Sequence, residues 1–134
     1  MDAAPTLRVE PILILLVDDF EPFRTILREV LERFAEFIVV GEAGDGRAAI
    51  ELALSLEPQV VIMDVSMPHL GGVEATRRIK RILPGVHVIG VSLNDDPYTQ
   101  DAMKAAGSSA FLSKNCTHQL PRLIGTLTAT VVQN

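Results

Sequence analysis

The chain has one cysteine, Cys116, among its 134 residues. A single thiol excludes an internal disulfide, leaves zinc ligation unsupported and fits a reducing compartment. Basic residues are in the minority. Twelve Lys and Arg stand against 17 Asp and Glu, giving a net charge of -5, which argues against a surface for nucleic-acid phosphates, since these are bound through clustered Lys and Arg. The one basic cluster, Arg77, Arg78, Lys80 and Arg81, reads as a solvated helix face. Long apolar stretches are missing as well. The longest unbroken aliphatic run, residues 12–17, is far shorter than a membrane span, and MDAAPTLRVE has no apolar signal core. The expectation is a soluble cytoplasmic protein with no direct nucleic-acid or membrane partner.

What the chain does have is apolar material, 48% by composition, enough for the core of one compact domain. Residues 10–134 are expected to form that domain and residues 1–9 a short tail. Short buried-strand runs alternate with segments of helical period, which predicts βαβ units and a parallel sheet. Strands are expected over residues 12–17, 37–40, 60–63, 86–91 and 110–113. After the first, Phe23, Ile26, Leu27, Val30, Leu31 and Phe34 share one helical stripe. Asp45 can cap a second helix with a stripe of Ala49, Leu52, Ala53 and Leu56, ending before Pro58. Val73, Ile79, Ile82 and Leu83 mark a third, stopped by Pro84-Gly85. Asp96-Pro97 opens a fourth and Gly107 closes it. Thr117 is the expected cap of a fifth, with Leu120, Leu123, Ile124, Leu127 and Val131 on one face. The glycines Gly41, Gly44 and Gly46 follow the second strand without dinucleotide-fingerprint spacing and read as a turn. His69, His87 and His118 show no paired spacing, so they are not expected to be ligands.

Four of the apolar runs end on chemistry: ILILLV on Asp18 and Asp19, VVIM on Asp64, VIGV on Ser92 and AFLS on Lys114. In an open α/β sheet such strand ends converge on the ligand site. Asp18, Asp19 and Asp64 would make an oxygen-rich site for a hard cation such as magnesium. Phosphoryl transfer needs charge neutralisation and positioning more than acid/base groups. Asp64 is then a carboxylate nucleophile forming an aspartyl phosphate, with Lys114 pairing with the phosphoryl group and Ser92 donating a hydrogen bond. Taken singly, Asp18-Asp19 could cap the first helix, Asp64 could be a turn residue and Lys114 could be solvated. Their joint occurrence on four strand ends favours the functional reading.

Together with VDDFEPFR, VVGEAGDG, VVIMDVSMP, GGVEATRRIK and FLSK, these residues resemble a bacterial response-regulator receiver domain of the NarL/FixJ type, over roughly residues 10–131. The resemblance implies a doubly wound (βα)5, flavodoxin-like or CheY-like fold with a five-stranded parallel sheet of order 2-1-3-4-5. It implies two-component signalling, in which Asp64 takes a phosphoryl group from a sensor histidine kinase or phosphotransfer protein with magnesium as cofactor. Such a domain is a phosphoacceptor with self-phosphorylation and autodephosphorylation chemistry, not an enzyme. By the same resemblance Asp19 is a direct metal ligand, Asp18 acts through water, and the Ser66 backbone carbonyl completes the protein's share. Ser92 and Phe111 match the switch pair, Ser66 and Asn94 the positions that gate water, and a homodimer is an expected readout.

The chain departs from the family in three places. Lys114 is followed by Asn115 where many receivers have proline after a cis bond, Leu93 is larger than usual and is expected to narrow access, and Phe111 lacks a tyrosine hydroxyl, which favours its being held inward by apolar packing. Receivers of this type usually precede a helix-turn-helix domain. The chain is therefore expected to be either a single-domain regulator or, more in keeping with its ending, a receiver separated from a DNA-binding regulator. Two alternatives from other classes are an aspartate-nucleophile phosphatase or phosphotransferase, whose DxD arrangement VVIMDVSM lacks, and a pseudo-receiver that binds partners without phosphorylation, whose usual loss of an acidic or lysine position is absent.

Overall fold

A computed structural model describes residues 10–94, 96–130 and 132. Five strands, β1 (Ile12–Val17), β2 (Phe37–Ala43), β3 (Val60–Asp64), β4 (His87–Ser92) and β5 (Ala110–Ser113), alternate with five helices. These are α1 (Glu21–Glu32), α2 (Gly46–Leu56), α3 (Gly72–Ile82), α4 (Pro97–Ala106) and α5 (Leu120–Thr128), the last preceded by a 3-10 segment, Lys114–Gln119. All strand pairs are parallel, in the order β2-β1-β3-β4-β5. The parallel sheet is the one expected from the alternation, and its strand order is the doubly wound one that the family resemblance implies.

Parallel sheets of this kind are buried on both faces, and the strands read as continuous apolar runs for that reason. Alternate residues of one run serve opposite cores. Ile14, Leu16, Ile62, Ile89 and Val91 pack under Leu27 and Leu31 of α1 and Leu120 and Ile124 of α5. Leu15, Val17, Val61, Met63 and Val88 face Ala49 and Ala53 of α2, Ala75 and Ile79 of α3 and Met103 of α4. Each fully buried Leu, Ile or Met contributes roughly 1.5–3 kcal/mol. The central strands can therefore carry the cost of ending on buried carboxylates. Asp45 and Asp96 cap α2 and α4 as expected, accepting from Ala48 N at 2.8 Å and Thr99 N at 2.9 Å. Gly107, at φ 111°, closes α4 in the left-handed region that glycine tolerates.

Several local expectations need correcting. β2 runs on through Gly41 and Glu42 to Ala43, pairing with Leu15, Leu16 and Val17 after an irregularity opposite Ile14/Leu15. Gly41 is a packing glycine, since a Cβ there would stand 2.9 Å from Leu56 Cδ1. β4 starts at His87, one residue late. Ile26 and Ile82 are 48% and 50% exposed. The buried stripes are narrower than the apolar pattern: α1 fully buries Leu27 and Leu31, with Phe23 partly buried against the same core. Thr117 caps nothing at the start of α5. The 3-10 segment intervenes, with Ser113 Oγ accepting from Asn115 N at 3.1 Å, and α5 opens on Leu120-Pro121. The Lys114-Asn115 bond is trans, as are all peptide bonds among the described residues, in keeping with the cost of about 2.5–4 kcal/mol for a non-proline cis bond. The tail over residues 1–9 and Val131 lie outside the described residues.

Candidate functional site

The strand order reverses between β1 and β3, and this is where an open α/β sheet leaves a crevice beyond its carboxyl ends. Register places Val17 of β1 beside Met63 of β3 and Asp64 beside Val91 of β4. The residues that follow must therefore meet. Asp18 is fully buried and Asp64 only 3% exposed, whereas Asp19 is exposed. One carboxylate oxygen from each of the three lies within 4.8 Å of the others.

Each side chain is held by local chemistry. Asp18 Oδ1 accepts from Phe20 N at 2.8 Å, turning the chain toward α1. The cap of α1 is Phe20, with no side-chain hydrogen bond, so the helix-capping alternative for Asp18-Asp19 is not realised. Asp64 closes β3 and accepts from Ser66 N at 3.3 Å. The following loop folds back so closely that a Cβ on Gly72 would collide with the Asp64 carbonyl, which makes glycine obligatory at the start of α3. Lys114, delivered by the end of β5, is not solvated. Its Nζ lies 2.6 Å from Asp18 Oδ2, 3.3 Å from Asp64 Oδ1 and 4.6 Å from the centre of the Phe23 ring. Ser92 is buried and its Oγ accepts from Asn94 N at 3.0 Å.

One cleft of about 370 Å3 gathers these groups. Asp18, Asp19, Asp64 and Lys114 line it with Ser92 and Ser66, and Leu93 and Asn94 complete the wall. Larger hollows of about 500 and 670 Å3 run along α5, away from the carboxylates. The smaller cleft is the candidate site because the reactive chemistry converges there. Leu93 lines the rim of the cleft and is 70% exposed. Phe111 stands outside the cleft and partly buried. Its ring lies against Gly90, where a Cβ would stand 3.0 Å from Phe111 Cδ2 and 2.9 Å from Met103 Cε.

Electrostatics set the character of the cleft. Burial, reinforced by the Asp18 charge, pushes the Asp64 carboxyl up to about 6, against the opposing pull of Lys114 and the Ser66 N–H. Burial also works against the Lys114 ammonium, yet its hydrogen bond to Asp18 and the charges of Asp64 and Asp18 prevail and hold it above the usual lysine value. One ammonium faces three carboxylates. An all-oxygen donor set with excess negative charge suits a hard divalent cation that keeps part of its water. The arrangement can thus place an anionic nucleophile, a cation and hydrogen-bond donors around one transferred group.

Sequence reasoning missed Phe20, which is 61% exposed beside the cleft, and Phe23 and Arg24 behind it. All three stand in VDDFEPFR, but their roles depend on where α1 leaves the strand. The basic cluster of α3 is a helix face as expected: Arg77 and Arg78 pair with Glu74, and Lys80 donates to the Pro84 and Val86 carbonyls.

Residues 14–125 match the response regulator receiver domain family. The response regulator UvrY of Escherichia coli is 38% identical over 106 residues, 79% of this chain and 49% of that protein. The signal receiver domain of a NarL regulator from Mycobacterium tuberculosis superposes with a TM-score of 0.82 at 26% identity, covering 89% of this chain and 98% of that one. The response regulator domain of Thermotoga maritima CheB gives 0.80 at 30% identity, covering 90% and 96%. The chain spans about half the length of the curated relatives it matches.

Proposed function

For a chain that belongs to the response regulator receiver family of two-component systems, we propose that Asp64 accepts a phosphoryl group from a sensor histidine kinase or phosphotransfer protein, with magnesium as cofactor. The observation that carries this reading is the cleft itself. Asp64 ends β3 with its Oδ1 3.3 Å from the Lys114 ammonium and a carboxylate oxygen within 4.8 Å of Asp18 and Asp19.

In the proposed reaction an Asp64 oxygen attacks phosphorus in line. The O–P bond forms as the N–P bond of the donor's phosphohistidine breaks, and the imidazole leaves with the electron pair. Asp19 would hold the metal directly, Asp18 through water, and Asp64 and the Ser66 backbone carbonyl would complete the protein's donors. Bound magnesium would neutralise charge on the transferred oxygens. Lys114, already poised between Asp18 and Asp64, pairs with the incoming phosphoryl group, and the Ser92 hydroxyl donates to it. Ser92 and Phe111 then act as the switch, with homodimerisation as one readout. Ser66, Leu93 and Asn94 control access of donor and water. Residues 10–134 are taken as the receiver unit, a cytoplasmic phosphoacceptor and not a turnover enzyme. Its relatives are response regulators rather than phosphatases, and the cleft keeps every acidic position and the lysine, which disfavours a pseudo-receiver.

Intact-mass measurement after incubation with acetyl phosphate tests this. One phosphoryl group should appear with magnesium, none without it, and none in Asp64→Asn. Full labelling of that variant would reject Asp64 as acceptor.

A further inference from the structure

Behind the acidic cleft, and outside it, lies a partly buried polar frame that the reading above does not use. Arg24 of α1 is only 17% exposed in its side chain. Its Nη1 donates to the Asp18 backbone carbonyl at 2.5 Å, while its Nε donates to Glu42 Oε1 at 2.8 Å. Glu42, near the end of β2, is itself fixed by Arg28, whose Nε lies 2.9 Å from Oε2. The Asp18 N–H donates to the carbonyl of Ala43, the next residue of β2, at 3.0 Å.

The carbonyl that Arg24 grips belongs to the peptide joining Asp18 to Asp19. A peptide group is planar, so fixing its oxygen fixes the plane from which the Asp19 side chain departs. Asp18 has its own anchors, through Phe20 N and Lys114. Asp19 is exposed, and its placement depends on that plane. The fork geometry of guanidinium is what allows one side chain to hold Glu42 with one nitrogen and the Asp18 carbonyl with another.

We propose that Arg24 is a positioning residue for the metal site: braced by Glu42, it sets the Asp18-Asp19 peptide so that both carboxylates face the cation together with Asp64. This rests on the magnesium reading of the cleft. Partners behind metal ligands typically alter metal affinity about 10–100-fold when removed.

Isothermal titration of the full chain with magnesium chloride, without any phosphodonor, measures the effect directly. Arg24→Ala should weaken magnesium binding about tenfold. Arg24→Lys keeps the charge but has a single ammonium in place of the fork, and it should fail to restore parental affinity. Arg28→Ala also removes a partner of Glu42 but does not touch Asp18. It should bind magnesium within about twofold of the parent, although both alanine variants lower the metal-free melting temperature. Should Arg24→Ala not fold, Glu42→Gln serves instead, and it should weaken magnesium binding by about tenfold, the lower end of the effect of removing a partner behind a metal ligand. Parental or tighter affinity in Arg24→Ala, or in Glu42→Gln where that variant is used, overturns the inference. So does an Arg28→Ala loss as large as that of Arg24→Ala. A parent chain that binds no magnesium overturns the metal reading itself and this inference with it.

Discussion

Asp64 has its carboxyl raised from 3.8 to about 6 by burial first and by the Asp18 charge second, and this dictates how metal-free stability varies with pH. The unfolded chain ionises this group near its ordinary value, whereas the folded chain still holds the proton. Between about pH 4 and 6 the native state binds more protons, so native stability must fall as pH rises through that window. At 1.36 kcal/mol per pKa unit the loss is on the order of 3 kcal/mol. Asp64 is 3% exposed, so solvent screening reduces this little. For a domain of this size about 1 kcal/mol moves Tm by roughly 3–5 °C, which makes the drop on the order of 10 °C. On the proposed reading magnesium offsets this loss: binding the ionised native state and not the unfolded chain, it would add about 2.7 kcal/mol at a hundred times its Kd. Circular-dichroism melts at pH 4 to 7.5, with chelator or with magnesium, compare the parent with Asp64→Asn. The chelated parent should lose stability relative to the variant as pH rises, and magnesium should close the gap. Parallel curves for the two proteins would refute the assigned electrostatics of the cleft.

Lys114→Ala should destabilise the metal-free fold by about 3–5 kcal/mol, because Asp18 and Asp64 are left buried without their cation; urea unfolding with chelator checks this, and a loss under 1 kcal/mol would contradict the pairing. Gly72→Ala should lower Tm and weaken magnesium binding together, since the added methyl meets the Asp64 carbonyl; melts with and without magnesium read both effects. Ser66→Met combined with a bulky residue at Asn94 should lengthen the phosphoryl lifetime without preventing phosphorylation, because neither side chain supplies the nucleophile or metal charge. A decay time-course equal to the parent's would move the gate to Leu93, which lines the same cleft.

The fold was readable wherever one physical signal dominated. Continuous apolar runs ending on Asp, Ser and Lys marked strands and their carboxyl ends, and Asp45, Asp96, Pro97 and Gly107 marked helix ends through capping chemistry. The candidate site was readable for the same reason: Asp64 and Ser92 end their strands, Asp18, Asp19 and Lys114 directly follow theirs, and parallel topology brings those ends together. Errors arose where one residue type serves two purposes. Gly41 resembles a turn glycine but is small because Leu56 packs on it. Ile26 and Ile82 extend apolar stripes without being buried. Thr117 is a good cap in isolation, but the 3-10 segment after Lys114 occupies its place. The Arg24–Glu42 pair joins residues 18 positions apart, across an α1–β2 packing that no local pattern specifies.

The most direct test of the account is to identify the phosphorylated residue. Aspartyl phosphate, unlike phosphoserine or an unmodified carboxylate, is reduced by borohydride to homoserine. After phosphorylation with magnesium present, reduction and peptide mapping should find homoserine at position 64 and nowhere else. Homoserine at Asp18 or Asp19, or a stable phosphate on Ser92 with residue 64 unchanged, would contradict it.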